Sequence, residues 1–229
     1  MNPICDLVSL VFPKICAICG NNLLYHETVI CISCQFHLPL TNFHLDDKNP
    51  LILSFCGGSR IGTAGAYLYF NKGNQVQKLI HSLKYKNRPD IGVYLGKQYG
   101  SCLKKVPGLE KLDYIIPIPL HPLKQKFRGY NQSEAIAEGL SISMDVPVNI
   151  NSIIRKKITE TQTRKSRFRR WENVEETFFV HSPQVLINKH VLIVDDVITT
   201  GATIESCINS LQFVSGITIS IAVIATAKY

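Results

Sequence analysis

This sequence predicts an open, mostly parallel α/β sheet flanked by helices, preceded by a small four-cysteine module. Val191-Leu192-Ile193-Val194 and Ile217 to Ala227 are almost unbroken apolar runs, the pattern of strands covered by helices on both faces. Segments with strand and helix periodicity alternate from Ala66 onward. Ahead of them, Cys16-Ala-Ile-Cys19 and Cys31-Ile-Ser-Cys34 form two C-x2-C pairs. The expected division is a metal-binding module with its linker over 1–60 and an α/β domain over 61–229. A chain of 229 residues has room for one such domain of roughly 150 to 170 residues plus an appendage.

Hydrophobic residues make up 45% of the chain, ordinary for a folded soluble protein. The formal charge of +8 and a pI near 9.1 favour an anionic partner: a phosphorylated ligand, nucleic acid or an acidic membrane surface. No stretch approaches the roughly 20 apolar residues that span a bilayer. The apolar patch from Leu7 to Phe12 carries Asp6 and lacks a basic flank, which argues against a signal peptide. It reads as a docked amphipathic helix, with peripheral membrane contact the weaker alternative. Eight cysteines without an export signal point to a reducing, cytoplasmic setting.

In the first module, each C-x2-C pair can form a tight knuckle presenting two thiolates, and Gly20 permits the left-handed turn after the first pair. Four soft sulfurs with no open position describe a structural zinc site. Disulfides conflict with the compartment, and a redox C-x2-C conflicts with the presence of two pairs. Cys5, Cys56, Cys102 and Cys207 lack paired spacing and read as small buried residues. Residues 41–60, with Asn49-Pro50 and Gly57-Gly58, read as the linker.

In the second domain, Ala66 to Phe70 alternates as a strand, and Val76, Leu79, Ile80 and Leu83 share one helical face. That helix runs into a basic turn, Leu83-Lys84-Tyr85-Lys86-Asn87-Arg88. Asp90 is expected to cap a second helix carrying Ile91, Leu95 and Leu103. Tyr114 to Leu120, YIIPIPL, is a buried strand whose prolines put it near a strand end. The cationic loop after it holds Lys124, Lys126, Arg128 and Gly129, a second place suited to phosphate. Asn131 with Glu134 three residues on marks the start of the next helix. Residues 155–170 hold eight Lys/Arg against Glu160 and have no apolar period. That stretch reads as a solvated basic loop, a lid over an anionic ligand, or a strip for nucleic-acid phosphates with Phe168 and Trp171 for stacking.

The chain's chemistry concentrates in Val191 to Cys207, VLIVDDVITTGATIESC. A buried strand is expected to end at Asp195 and Asp196, followed by Thr199, Thr200, Gly201, Ala202 and Thr203 and then a helix. Helix-start amides and threonine hydroxyls can wrap a phosphate dianion, and Gly201 lets the backbone approach it. Two ionised carboxylates can accept hydrogen bonds from vicinal ribose hydroxyls. An acidic pair alone would equally fit a Walker-B strand or a receiver-type metal site, but neither continues into a Thr-Thr-Gly-Ala-Thr cradle. DDVITTGAT resembles the 5-phosphoribosyl-1-diphosphate (PRPP) loop of type I phosphoribosyltransferases.

Five features in one order, the cysteine pairs, LKYKNR, PIPLHPLKQKFRGYNQSE, R…TQT…R…R…N and VDDVITTGAT, resemble the ComF/ComFC (GntX-like) family over nearly the whole chain. The resemblance implies a zinc-finger-like module ahead of a type I phosphoribosyltransferase domain, and a link to natural transformation and DNA uptake. It implies that Asp195, Asp196 and Thr199 to Thr203 form the PRPP loop and that the Arg128-Gly129 loop approaches the diphosphate. Arg155, Thr161, Gln162, Arg167 and Arg170 would belong to a mobile loop, and Cys16, Cys19, Cys31 and Cys34 would bind one zinc. Mg2+ would accompany PRPP, bridging its hydroxyls and diphosphate. Arg128 and Arg155 would stabilise the departing diphosphate. No general base or acceptor pocket is visible. Three functions follow: a PRPP-binding factor in DNA uptake that contacts single-stranded DNA through the basic loop and works with uptake-machinery proteins, a metabolic phosphoribosyltransferase of unknown acceptor, or a nucleic-acid adaptor using the fold as a PRPP sensor.

Overall fold

The structure, a computed structural model, describes residues 13–55, 61–156 and 177–227. Its elements in chain order are α1 (Ile32–Phe36), α2 (Pro50–Phe55), β1 (Ile61–Phe70), α3 (Gln75–Tyr85), α4 (Pro89–Leu103), β2 (Tyr114–Pro117), α5 (Pro122–Arg128), α6 (Gln132–Met144), β3 (Ile153–Lys156), β4 (Thr177–Val180), β5 (His190–Ile198), α7 (Ala202–Leu211) and β6 (Thr218–Ala227). Four strands form one parallel sheet in the order β1-β6-β5-β2. β3 and β4 pair as a separate antiparallel ribbon.

Aliphatic runs become the central strands because both faces are covered. Leu192 and Val194 pack with Leu79, Leu83, Leu95, Ile136 and Leu140 on one side. Val191 and Ile193 pack with Ile204, Leu211, Ile219 and Ile221 on the other. This is the alternation a pleated strand imposes. On the first face, α4 and α6 approach at backbone distance. A Cβ added to Gly96 would stand 2.2 Å from the Ile136 carbonyl oxygen, and one added to Gly139 would stand 2.2 Å from that of Val93.

β5 outruns the sequence expectation. It continues through both acids to Ile198, still paired with β6 (Ile198 with Thr226), whereas β2 leaves it at Pro117 opposite Val194. From Asp195 on, one side of β5 is therefore open, and the carboxylates face the crevice beyond the end of β2. That crevice lies at the carboxyl end of a parallel sheet, the usual ligand position in such folds.

Two local expectations are corrected. Asp90 lies in the first turn of α4 rather than capping it; the cap position is Arg88, whose guanidinium Nη2 pairs with Asp90 Oδ2 at 2.7 Å. The loop after β2 contains α5, started by His121, whose Nδ1 accepts from the Leu123 amide. Residues 41–55 are also more structured than a linker. The Thr41 amide donates to the Tyr67 carbonyl of β1, the Tyr69 amide donates back to the Pro39 carbonyl, and buried Asn49 donates to the carbonyls of Phe43, Asp46 and Ala64.

Candidate functional site

The crevice is a cavity of about 210 Å³ lined by residues from six places in the chain. β5 supplies Asp195, Asp196 and Val197, and α7 supplies Thr203. The β2–α5 segment supplies Ile118, Pro119, Leu120, Lys124 and Arg128. The start of α6 supplies Asn131, Gln132 and Ser133, while α3 contributes Lys84 and β3 contributes Arg155.

Each acid has a protein partner on the cavity wall. Lys84 Nζ stands 2.9 Å from Asp196 Oδ1, both side chains largely buried. Asp195 Oδ1 accepts from Ser133 Oγ at 3.0 Å and from the Asp196 amide at 2.8 Å. Burial, and secondly the Asp196 carboxylate, push the Asp195 carboxyl up to about 7. Behind it, the Cys207 thiol is pushed up to about 12 by burial and then by Asp195. Burial also lowers the Arg155 guanidinium, opposed by Asp195, and its Cζ sits 5.2 Å over the Phe178 ring.

Asn131 explains why α6 begins at this wall. Its Oδ1 accepts from the Ser133 amide, while its Nδ2 donates to the Ile118 carbonyl and to Glu134 Oε1 at 3.2 Å. The expected Asn131–Glu134 pairing thus forms side chain to side chain, and it ties α6 to the end of β2. Next to it, Gln132 is 1% exposed; its Oε1 accepts from Arg128 Nη1 at 2.7 Å, and its Nε2 has no partner among the described residues. A buried amide donor on a cavity wall has a reason to exist where an anionic ligand completes it.

The threonine loop is only partly in the cavity. Thr203 lines it; Thr199, Thr200, Gly201 and Ala202 form the adjoining turn, with Thr199, Thr200 and Ala202 exposed. Gly201 caps α7 at φ +81°, where other residues are strained, and no side chain caps that helix. Its first amides are thus presented to an anion. Gly129 ends α5 at φ +84° without lining the cavity, and it lets the chain turn so that Arg128 reaches Gln132. Thr161, Gln162, Arg167, Arg170 and the rest of the basic loop beyond Lys156 lie outside the described residues. Sequence reading missed Gln132 and Ser133 as cavity residues and gave Lys84 little weight. Their signals were the polar run after Gly129 and a lysine at the end of an otherwise apolar helix face.

The second cluster is the cysteine set. The Sγ atoms of Cys16, Cys19, Cys31 and Cys34 all lie within 4.8 Å of one another, with Cys19 and Cys31 at 3.8 Å. Metal–sulfur bonds of about 2.3 Å in a tetrahedron require sulfurs about 3.8 Å apart, so this cluster can hold a metal ion. Gly20 takes φ +78° and closes the first knuckle with its amide on the Cys16 carbonyl. Burial opposes the Cys16 thiolate, yet bonds from the Cys19, Cys31 and Ile18 backbone hold it at about 6. Buried Glu27 ties the intervening turn, accepting from the Leu24 and Ile32 amides at 2.7 Å each.

Residues 131–228 match the phosphoribosyl transferase domain family, a stretch that runs from Asn131 through Asp195, Asp196 and Thr203. Competence protein F of Haemophilus influenzae is 28% identical over 205 residues, covering 83% of this chain and 87% of that protein. DNA utilization protein YhgH of Escherichia coli O157:H7 is 29% identical over 201 residues, covering 83% and 80%. Competence protein ComFC of Streptococcus pneumoniae is 32% identical over 132 residues, covering 58% and 55%. The chain carries a phosphoribosyl transferase domain and is a homologue of these proteins. A purine phosphoribosyltransferase from Pyrococcus horikoshii superposes at TM-score 0.39 with 22% identity, over 63% of this chain and 76% of its own, too loosely to transfer residue roles. Lys84 and Arg128 reach the phosphoribosyl transferase domain's cavity from outside the matched stretch. Among the described residues no helix is long and apolar enough to cross a membrane.

Proposed function

We propose that the cavity at the end of β5 binds PRPP, and that the chain is a PRPP-binding, ComF-like factor that handles single-stranded DNA during uptake. The observation that carries the first part is that one cavity gathers two carboxylates, Asp195 and Asp196, with four cations, Lys84, Lys124, Arg128 and Arg155. That mixture of charges suits a ligand that carries both a diol and a diphosphate. Asp195 and Asp196 accept from the ribose hydroxyls. The α7 amides with Thr199, Thr200, Gly201, Ala202 and Thr203 take the 5-phosphate. Arg128, Arg155 and the Gln132 amide face the diphosphate, with Gly129 shaping the turn.

Two adjacent carboxylates and phosphate oxygens are the hard donor set that Mg2+ takes, commonly with few protein ligands. When bound, the ion neutralises diphosphate charge. If a nucleophile attacks the anomeric carbon, its bond to the diphosphate oxygen breaks and the electron pair leaves with the diphosphate. Arg128 and Arg155 are then positioned to hold that growing charge, and the acceptor's proton passes to solvent or to the departing diphosphate. The cysteine set would hold Zn2+, since four thiolates leave no open coordination position and suit a structural role.

The role in uptake rests on the relatives' names, competence protein and DNA utilization protein, and on the chain's +8 charge. That role belongs in the cytoplasm, where thiols stay reduced, and the eight Lys/Arg of 155–170 supply charge for phosphates. Calorimetric titration of PRPP with Mg2+ tests the reading. Binding by the native chain and its loss in Asp195→Asn/Asp196→Asn, at unchanged circular dichroism, is the expected result. Undiminished affinity in that variant would remove the acids from the site.

A further inference from the structure

The cysteine knuckle and α3 enclose a second cleft, of about 540 Å³, separate from the sugar-phosphate cavity. The knuckle's Cys16 to Gly20 form one side; Gln77, Lys78, His81, Ser82 and Lys86 form the other, and among the described residues no carboxylate lines it. Gln77, Lys78, His81 and Lys86 are exposed, so the cations are available. Lys78 Nζ lies 3.4 Å from the Ile18 carbonyl oxygen, which holds its ammonium at the knuckle side. Eight residues separate Lys78 from Lys86, about 12 Å at the helical rise. At about 3.4 Å per stacked nucleotide, that distance spans several backbone phosphates rather than one.

A chain of ring and cation contacts runs from the lining of this cleft to the lining of the first cavity. The His81 ring centroid is 5.0 Å from that of Tyr85, and the Arg128 guanidinium lies 5.3 Å from the Tyr85 centroid on its way to the cavity wall. Tyr85 itself is 58% exposed, between Lys84 in one cavity and Lys86 in the other. A cationic groove beside an exposed ring is what unpaired nucleotides need, because their bases are free to stack; a duplex keeps its bases inside.

We infer that this cleft, with Tyr85 at its mouth, is the interface for the phosphodiester backbone of single-stranded DNA and leads the strand toward the Asp195–Asp196 cavity. The inference rests on the proposed handling of single-stranded DNA, and not on what fills that cavity. Lys78 and Lys86 pair with phosphates several nucleotides apart, and Tyr85 takes a base.

The test is fluorescence anisotropy of a labelled oligothymidylate with the full-length chain over a range of salt concentrations. Wild type is compared with Lys86→Gln, Lys78→Gln/Lys86→Gln and Tyr85→Ser, with PRPP calorimetry in parallel. Each lost phosphate contact should flatten the plot of log K against log salt by about 0.7, hence by about 1.4 in the double variant. Tyr85→Ser should weaken binding about tenfold with the slope unchanged. PRPP affinity should stay the same in the lysine variants. Should the Lys78 change disturb the knuckle, Lys86→Gln alone decides, because its exposed side chain is free of the Ile18 contact. Wild-type binding with an unaltered slope in Lys86→Gln overturns the cleft while leaving DNA handling standing. Equal affinity for a duplex of the same length overturns the single-strand assignment. Absence of wild-type binding at low salt removes both the cleft and the DNA-handling proposal, and PRPP calorimetry still judges the first cavity by itself.

Discussion

Lys84 Nζ and Asp196 Oδ1 meet at 2.9 Å, joining the last turn of α3 to the open end of β5. The pair closes one side of the cavity and puts a cation where the sequence alone shows only acids. Its two side chains are 22% and 10% exposed, so water screens the contact only in part. Lys84→Met leaves the Asp196 carboxylate largely buried without its cation. The expected loss is about 1–3 kcal/mol, below that of a fully buried pair. In a chain of this size it lowers the melting temperature by about 2–4 °C per kcal/mol. The same change should weaken PRPP at least tenfold, since the cation that holds Asp196 in place and lines the cavity of an anionic ligand is gone. Thermal melts and calorimetry on one preparation check both; unchanged melting would mean that the pair is solvated in solution.

Asp195 makes stability fall as pH rises. Its carboxyl is pushed from an ordinary 3.8 up to about 7, by burial first and by Asp196 second. Between those values the folded state holds a proton that the unfolded chain has released. The contribution is therefore complete below about pH 4 and is lost as pH climbs through about 7. Urea unfolding at pH 5, 6, 7 and 8 should show that decline in wild type and a flatter profile in Asp195→Asn. Parallel profiles for the two proteins would assign the decline to other groups.

Gln132 separates ligand binding from folding. Gln132→Leu removes an amide whose Nε2 is unpartnered among the described residues, so the folded state loses little beyond the Arg128 contact. Melting within about 2 °C of wild type and about tenfold weaker PRPP binding are expected, one good charge-assisted hydrogen bond being worth that factor. Equal losses in both would make Gln132 a packing residue.

How much of this was readable in the sequence depended on whether the signal was local. Val191 to Val194 and Ile217 to Ala227 announce central strands because burial on both faces leaves no polar position, and the four cysteines announce their cluster through spacing. The length of β5 was hidden: Asp195 and Asp196 look like a terminus, but β6 supplies their ladder partners from more than twenty residues away. Lys84 was hidden for the same reason, since its partner is 112 residues distant and only the fold brings α3 to β5. Residues 41–55 read as connector because Asp46, Asp47, Asn49 and Pro50 cluster there. Yet Asn49 spends its amide on three carbonyls in the interior, an arrangement no periodicity reports.

The glycines of α4 and α6 make a prediction that periodicity also conceals. Gly92, Gly96 and Gly100 recur every fourth residue of α4, and Gly139 meets Gly96 from α6. In an isolated helix Gly→Ala would stabilise by about 1 kcal/mol. Here the Gly96→Ala methyl would land 2.2 Å from the Ile136 backbone oxygen, which has no rotamer to yield. Overpacking of this kind costs about 1–3 kcal/mol, more than the propensity gain. A lower melting temperature is expected for Gly96→Ala, and a higher one would show that the helices separate easily.

Metal removal bears on the whole N-terminal segment. Cys16, Ile18, Val29, Ile30, Cys34 and Leu38 are buried against the same cluster as Leu79, Leu95 and Tyr99, so the knuckle packs on the domain rather than standing apart. With four sulfurs within 4.8 Å of one another, elemental analysis should find one zinc per chain. Cys34→Ser, which removes a buried ligand, should lose it. A structural site of this type contributes on the order of 10 kcal/mol of binding energy, and part of that energy holds residues 15–38 in place. Chelation should therefore speed proteolysis in that segment first. It should also lower the melting temperature of the domain, because α3 and α4 lose the surface they pack against. Full zinc loss with an unchanged melt would mean that the knuckle folds on its own sulfur contacts and that the metal is incidental.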